Sequence, residues 1–175
     1  MDRAEVILVD EDDQPLGVME KMEAHRQGKL HRAFSIFVLN NEGEMLLQRR
    51  SLTKYHSPGL WTNACCSHPG PGELTLFAAS RRLKEEMGFS CSLTEIFTFT
   101  YETRFDNGLT EHEYDHVFLG IYDGKIDPDP AEVEEFKWFT HEQISTQLSS
   151  VEAGFSSWFK LAYPMVKSWL GLADS

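Results

Sequence analysis

Between Trp61 and Gly88 the chain reads Trp61-Thr62-Asn63-Ala64-Cys65-Cys66-Ser67-His68-Pro69, a Pro/Gly turn, and a charged segment ending Arg81-Arg82-Leu83-Lys84-Glu85-Glu86-Met87-Gly88. A thiol, an imidazole, two guanidinium groups and two carboxylates occur in this one stretch, a mixture that packing does not ask for. Cysteine exchanges a proton near neutral pH, and imidazoles and carboxylates hold divalent metals. Arginines bind anions through a planar fork of donors. Acid/base work, metal binding and anion capture are the chemistries that these residue types offer.

Other residues extend each of the three. Glu111 and Glu113 flank His112 in a strand-like run, and period-two alternation points both carboxylates to one side. Two charged carboxylates side by side need a cation between them, although an acidic solvent-facing edge accounts for them as well. His25, His31 and His68 are separated by turns, so they can converge without forming a local motif. With Glu111 and Glu113 they would make a nitrogen and oxygen donor set suited to a borderline divalent cation; each is also compatible with an ordinary structural histidine. Lys21, Arg50, Lys54 and Arg82, gathered at one pocket, would form a local anion trap in an otherwise acidic chain.

The elements that must position these groups can be read in order. Val6 to Val9 is a strand entering a hairpin at the acidic turn from Asp10 to Pro15 and Gly17. Lys21 and His25 lie in a polar stretch broken by Gly28. His31 to Leu39 and Met45 to Gln48 form a second hairpin about Asn41-Glu42-Gly43. Ser57-Pro58-Gly59 is a loop. Thr75 is expected to cap a helix whose apolar stripe is Leu76, Ala79, Leu83 and Met87, with Gly88 as its stop. Leu93 to Phe105 and Leu109 to Tyr122 are strands joined by Asp106-Asn107-Gly108, and Glu135 to Phe139 is a last strand. Thr140 starts a short helix, and Phe155 to Leu170 is a second one with a kink expected at Pro164. The pattern predicts an α/β (α+β) fold, a mixed sheet flanked by helices.

The 175 residues, 41% hydrophobic and 25% charged, suit one domain, 1–175, with a core of about 5–170. A formal net charge of −12 argues against nucleic acid or an anionic membrane as partner. Three cysteines, two of them adjacent, give neither a disulfide framework nor a metal-finger spacing, which points to reduced thiols and a cytoplasmic protein. The start, Met1-Asp2-Arg3-Ala4-Glu5, does not read as a signal peptide, and no segment has the roughly 20 apolar residues of a membrane span.

Glu73, Arg81, Leu83, Glu85, Glu86, Gly88 and Phe89 match the Nudix box G-x5-E-x7-R-E-U-x-E-E-x-G-U in register, so the segment resembles that superfamily. Ser67 stands at the first glycine position and Arg82 at a box glutamate. Nudix hydrolases use the box glutamates to hold the ions that activate water against a diphosphate. Losing one carboxylate and gaining a cation argues against hydrolysis and remains compatible with diphosphate binding.

A closer resemblance is carried by the Trp61–Pro69 block, Leu30-His31-Arg32-Ala33-Phe34-Ser35, Thr110-Glu111-His112-Glu113 and Phe155-Ser156-Ser157-Trp158. Together they resemble the type I isopentenyl diphosphate isomerases over Val6 to Trp169, with Ser67 for the usual Gly and Cys65 as an added thiol. The resemblance implies a Nudix-like fold and a 1,3 proton shift interconverting isopentenyl and dimethylallyl diphosphate through a carbocation-like intermediate, in isoprenoid precursor biosynthesis. It implies Cys66 and Glu113 as acid/base groups on opposite faces of the alkene, with Tyr101 beside Glu113. His25, His31, His68, Glu111 and Glu113 would hold one metal, Mn2+, Mg2+ or Zn2+. Lys21, Arg50, Lys54 and Arg82 would contact the diphosphate, with a Mg2+ on Glu86 and the Cys66 carbonyl. Trp158 would face the cation. The partner implied is a small diphosphate, met by a monomer or weak homodimer. A Nudix hydrolase is the alternative enzyme, and a non-catalytic diphosphate-binding domain the third reading.

Overall fold

A computed structural model of the chain describes residues 5–150 and 154–172. Met1 to Ala4, read above as the start of a chain without a signal peptide, lie outside the described residues. The strands are β1 (Glu5–Val9), β2 (Pro15–Glu20), β3 (His31–Leu39), β4 (Met45–Arg50), β5 (Trp61–Thr62), β6 (Cys65–Ser67), β7 (Leu93–Arg104), β8 (Thr110–Ile121) and β9 (Val133–Phe139). The helices are α1 (Lys21–Gln27), α2 (Thr75–Met87), α3 (His141–Leu148) and α4 (Ser157–Trp169).

All nine strands belong to one mixed sheet centred on β3. β8 runs parallel to β3 along its whole length, from His31 beside Glu113 to Leu39 beside Ile121. β3 also pairs, always antiparallel, with β1 at His31, with β6 at Phe34 to Ile36, and with β4 at Leu39. β7 folds back on β8, and β9 and β5 pair with β4.

A strand covered on both faces must be apolar at odd and even positions alike, and β3 is. Phe34, Ile36 and Val38 pack with Ala78, Ala79, Leu83 and Met87 of α2. Phe37 and Leu39 pack on the other side with Phe159, Ala162, Tyr163 and Val166 of α4 and Ile144 of α3. Each large side chain buried in this way contributes about 1.5–3 kcal/mol, enough in sum to fix the strand register.

The structure corrects several local expectations. The polar stretch at Lys21 is the helix α1, capped by the Glu20 carboxylate on the amides of Met22 and Glu23, at 3.0 and 2.8 Å, and closed by Gly28 at φ 65°. It spans too few turns for a periodicity to show. Thr75 is the first helical residue of α2 and not its cap; Leu74 holds that place without a side-chain bond. Leu76 is 43% exposed, so the buried face of α2 begins at Ala78. α4 begins at Ser157, because Phe155 bridges to Trp61, and it continues through Pro164. Gly88 ends α2 at φ 76°, and a Cβ there would lie 2.2 Å from the carbonyl oxygen of Asp127, so only glycine fits.

Candidate active site

The site is built by strand alternation on the α4 face of the sheet. Along β8 the odd-numbered residues are Glu111, Glu113, Asp115, Val117 and Leu119; the last two belong to the α4 core, so the three carboxylates before them share its face. His31 lies beside Glu113, Cys66 opposite Ser35, and Tyr101 opposite Glu113, so their side chains project to that same face. Cys65 pairs with Ile36 and falls on the α2 face, with its Sγ 3.5 Å from Glu86.

The histidines converge here. The ring of His31 is 5.2 Å from that of His25 and 5.0 Å from that of His68. Glu113 Oε2 is 2.6 Å from His68 Nε2 and 3.2 Å from His31 Nε2. Nδ1 of His25 is 2.7 Å from the Lys21 carbonyl, and Nδ1 of His31 is 2.9 Å from that of Lys29. A carbonyl only accepts, so both Nδ1 atoms carry hydrogen and each neutral ring offers its Nε2 lone pair inward. His25 Nε2, fully buried, has no hydrogen-bond partner among the described residues. Lone pairs and carboxylates aimed at one another call for a cation, and this donor set fits a borderline divalent metal.

The expected five donors nevertheless do not form one compact group. Donor atoms of His25, His31, His68 and Glu113 all lie within 4.8 Å of one another, whereas Glu111 forms such a group with His25 and His56. His56 was missed by the sequence reading, which saw only a Ser-Pro-Gly loop around it. Its Nε2 lies 2.9 Å from Glu111 Oε2.

Tyr101 joins the two carboxylates, its hydroxyl 2.5 Å from Oε1 of both Glu111 and Glu113. One hydroxyl hydrogen cannot satisfy two anions, which sharpens the need for another positive charge. Burial, then Glu111, Glu113 and Asp115, pushes the Tyr101 phenol well above its usual range. Burial raises both glutamates, and the charge of Glu113 raises Glu111 further, but in the metal-free chain, where the rings can be protonated, the histidines outweigh this: Glu111 is lowered to about 2 by His25 and His56, and Glu113 falls well below the usual range through His68 and His31.

Cys66 Sγ lies 3.2 Å from Asn63 Oδ1 and 3.5 Å from Ser35 Oγ, and accepts a bond from Trp158 Nε1 at 3.0 Å. Burial, followed by the charge of Asp115, pushes the thiol well up against the opposing pull of Ser35, Asn63 and Arg50, so Cys66 is held as S–H. Asp115 accepts from Ser35 Oγ at 2.6 Å and is itself pushed well up by burial and Glu113. This aspartate was also overlooked, although the spacing Glu111, Glu113, Asp115 puts it on the same alternating face.

Cys66, His68, Tyr101, Glu111, Glu113 and Trp158 line one pocket, together with Arg50, Lys54, Arg82, Glu86 and His56. The cations are already engaged. Arg82 bonds Glu85 at 2.6 Å and Glu86 at 2.9 Å, Lys54 bonds Glu132 at 2.6 Å, and Arg50 sits 5.0 Å over the Trp158 ring. Glu132, which the sequence did not single out, also lies 3.6 Å from Arg82. Burial raises the Glu86 carboxyl against the pull of Arg82. Lys21 does not line the pocket; its Nζ sits 5.0 Å over the ring of Tyr55, which does.

Residues 29–159 match the NUDIX domain. The chain is 47% identical over 169 residues to the isopentenyl-diphosphate Delta-isomerase of Pectobacterium atrosepticum, covering 97% of this chain and 94% of that one. It is 46% identical over 169 residues to the enzyme of the same name from Burkholderia multivorans, covering 94% and 96%. The chain belongs to the isopentenyl-diphosphate Delta-isomerase family, within the Nudix superfamily. In fold it resembles a solved Deinococcus radiodurans protein, with a TM-score of 0.76 at 21% identity, covering 91% of this chain and 98% of that one.

For a member of the isomerase family, the altered Nudix box has a physical consequence here. Arg82, at the box position expected to be glutamate, neutralises Glu85 and Glu86 by direct ion pairs. With a guanidinium in place of one box carboxylate, fewer oxygens remain for the several ions that hydrolysis of a diphosphate requires. Among the described residues no helix is long and apolar enough to cross a membrane.

Proposed function

We infer that this chain is an isomerase that interconverts isopentenyl and dimethylallyl diphosphate, with Cys66 and Glu113 as its proton-carrying groups. The observation that carries the reading is their shared place on one sheet face, in a single pocket whose other walls supply arginine, lysine and indole. A proton added to the terminal methylene carbon leaves a tertiary cation, and loss of a proton from the carbon nearer the diphosphate places the double bond inside the chain. One group delivers the proton and the other removes one. The reaction is reversible, so each serves as acid in one direction and base in the other.

The chain's residues supply what those steps need. Tyr101, kept protonated, donates to Glu113 and sets how readily that carboxyl carries a proton. Asn63 Oδ1, with Ser35 Oγ as the longer alternative, accepts the single hydrogen of the Cys66 thiol and fixes its direction. Trp158 covers the thiol through its indole N–H, and its aromatic surface shelters the cation and keeps out water that would trap it as an alcohol. Arg50, Lys54 and Arg82 hold the diphosphate, with Lys21 at the rim beyond Tyr55, and that unreactive end positions the alkene. The diphosphate would compete with Glu132 for Lys54.

His25, His31, His68, Glu111 and Glu113 would hold a divalent metal, Mn2+, Mg2+ or Zn2+, which when bound supplies positive charge that tunes the Glu113 carboxyl. Glu86 and the Cys66 carbonyl would hold Mg2+ with the diphosphate. The proposed site is drawn from one chain, so it needs no second copy and suits a monomer or weak homodimer. A free thiol at Cys66 suits the reducing cytoplasm.

The test is incubation with isopentenyl diphosphate and Mg2+ in deuterated water. Deuterium in the dimethylallyl product is expected. Free phosphate released from nucleotide diphosphates without isomerisation would replace this reading with hydrolysis.

A further inference from the structure

His56 lies on none of the segments that point to metal binding in the sequence, yet it is buried at 4% exposure against the donor cluster. Its Nε2 is 2.9 Å from Glu111 Oε2, the same oxygen that faces His25 Nε2 at 3.9 Å. Donor atoms of His56, His25 and Glu111 lie mutually within 4.8 Å. We propose that His56 is itself a metal ligand, entering the coordination sphere alongside Glu111, so that four imidazoles rather than three surround the ion. This inference rests on the metal-centre reading given above and deepens it.

Three features support it. Ligands at right angles on a metal with bonds of about 2.1 Å are roughly 3.0 Å apart. The separations of His56 from Glu111, His31 from Glu113 and His68 from Glu113, at 2.9, 3.2 and 2.6 Å, are all of that kind. The His56 ring is also fixed as ligands are, stacked on Phe105 at 4.8 Å and set edge-on to Trp158 at 5.5 Å. Its Nδ1 faces a hydroxyl, Ser57 Oγ at 3.4 Å, which can accept that N–H and leave the Nε2 lone pair pointing at Glu111. His25, fully buried with its Nε2 unpartnered among the described residues, belongs to both donor groups and ties them to one ion.

The competing explanation is that His56 only donates a hydrogen bond to Glu111 and positions it. Metal affinity does not separate the two, because loss of such a supporting bond also weakens binding by about 10–100-fold. Ligand number does. The full chain loaded with Co2+ should show, by paramagnetic proton NMR, four exchangeable imidazole N–H resonances shifted by the ion, and His56→Ala should show three. The Co2+ absorption band should change in intensity in both His56→Ala and His56→Gln, since loss of a ligand alters geometry. Three shifted resonances in the unaltered chain, or a His56→Gln spectrum identical to it, would make His56 a positioning residue and overturn the proposal. The count on the unaltered chain holds even if a variant fails to fold. If the unaltered chain binds no Co2+ at all, the metal centre itself is refuted; binding with only three imidazoles refutes His56 alone.

Discussion

Cys65 and Cys66 are neighbours with the same functional group, and the alternation of β6 sends one toward α2 and the other into the pocket. Cys66→Ala and Glu113→Gln should each lower turnover by at least about a hundredfold while leaving affinity for a diphosphate inhibitor within a few-fold. Cys91→Ala, at a half-buried thiol away from the pocket, should change neither. Steady-state kinetics with inhibitor titration checks all three, and near-normal turnover in either of the first two would end the two-face scheme. The metal-free chain also has a pH signature. His25 is raised above 6.5, since Glu111, the Lys21 carbonyl and Glu113 outweigh its burial, so its stabilisation is complete below 6.5 and is lost as pH rises through the raised value. Glu111 and Glu113 are depressed from 4.5, so theirs is present above 4.5 and lost as pH falls through the depressed values, about 2 for Glu111. With chelator present, stability contributed by this cluster should peak between about pH 4.5 and 6.5 and decline above it. Denaturation midpoints that instead climb from about pH 6 to 8 in chelator would contradict these charge assignments.

At the scale of elements, two short features fix the geometry of the pocket. Ser156 caps α4 through Phe159 N at 3.3 Å, and its hydroxyl donates to Thr62 Oγ1 at 2.9 Å, which donates in turn to Asn63 Oδ1 at 2.9 Å. Two hydroxyl side chains, Ser156 and Thr62, therefore link the helix carrying Trp158 to the residue that accepts from Cys66. Ser156→Ala should cost about 1 kcal/mol in stability and reduce turnover as well, measured by urea denaturation and kinetics. A stability loss with unchanged turnover would confine Ser156 to capping. Gly88→Ala forces a Cβ onto the Asp127 carbonyl and should destabilise by at least about 1–3 kcal/mol. Unchanged stability there would mean that the loop can yield. The helix stop at Gly88 and the hairpin at Asp106-Asn107-Gly108 were legible because glycine placement reports backbone shape directly. α1 was not, since its cap is a glutamate and its 7 residues carry no stripe.

Across the whole molecule, binding of a metal at the His/Glu cluster would be linked to folding. Carboxylates and inward lone pairs crowd into a closed site, so an ion that binds only the folded chain should stabilise it, by about 2.7 kcal/mol at a hundredfold excess over its dissociation constant. Chelation should abolish turnover and lower the melting temperature together, and re-addition of metal should restore both. A chelated protein with full activity and an unshifted melting curve would remove the metal from the account.

The sequence determined the types of group available and most of their elements, because hydrophobic alternation, turn residues and motif spacing are local properties. Glu111 and Glu113 on one strand face and the two adjacent thiols were readable from it; of the four cations expected at the pocket, Arg50, Lys54 and Arg82 line it and Lys21 does not. What the tertiary structure decided was company. That Asp115 stands behind Cys66, and that His56 rather than His31 or His68 accompanies Glu111, both depend on register between strands and loops far apart in the chain. No local pattern encodes those pairings, because they are set by how two buried faces of one sheet are packed.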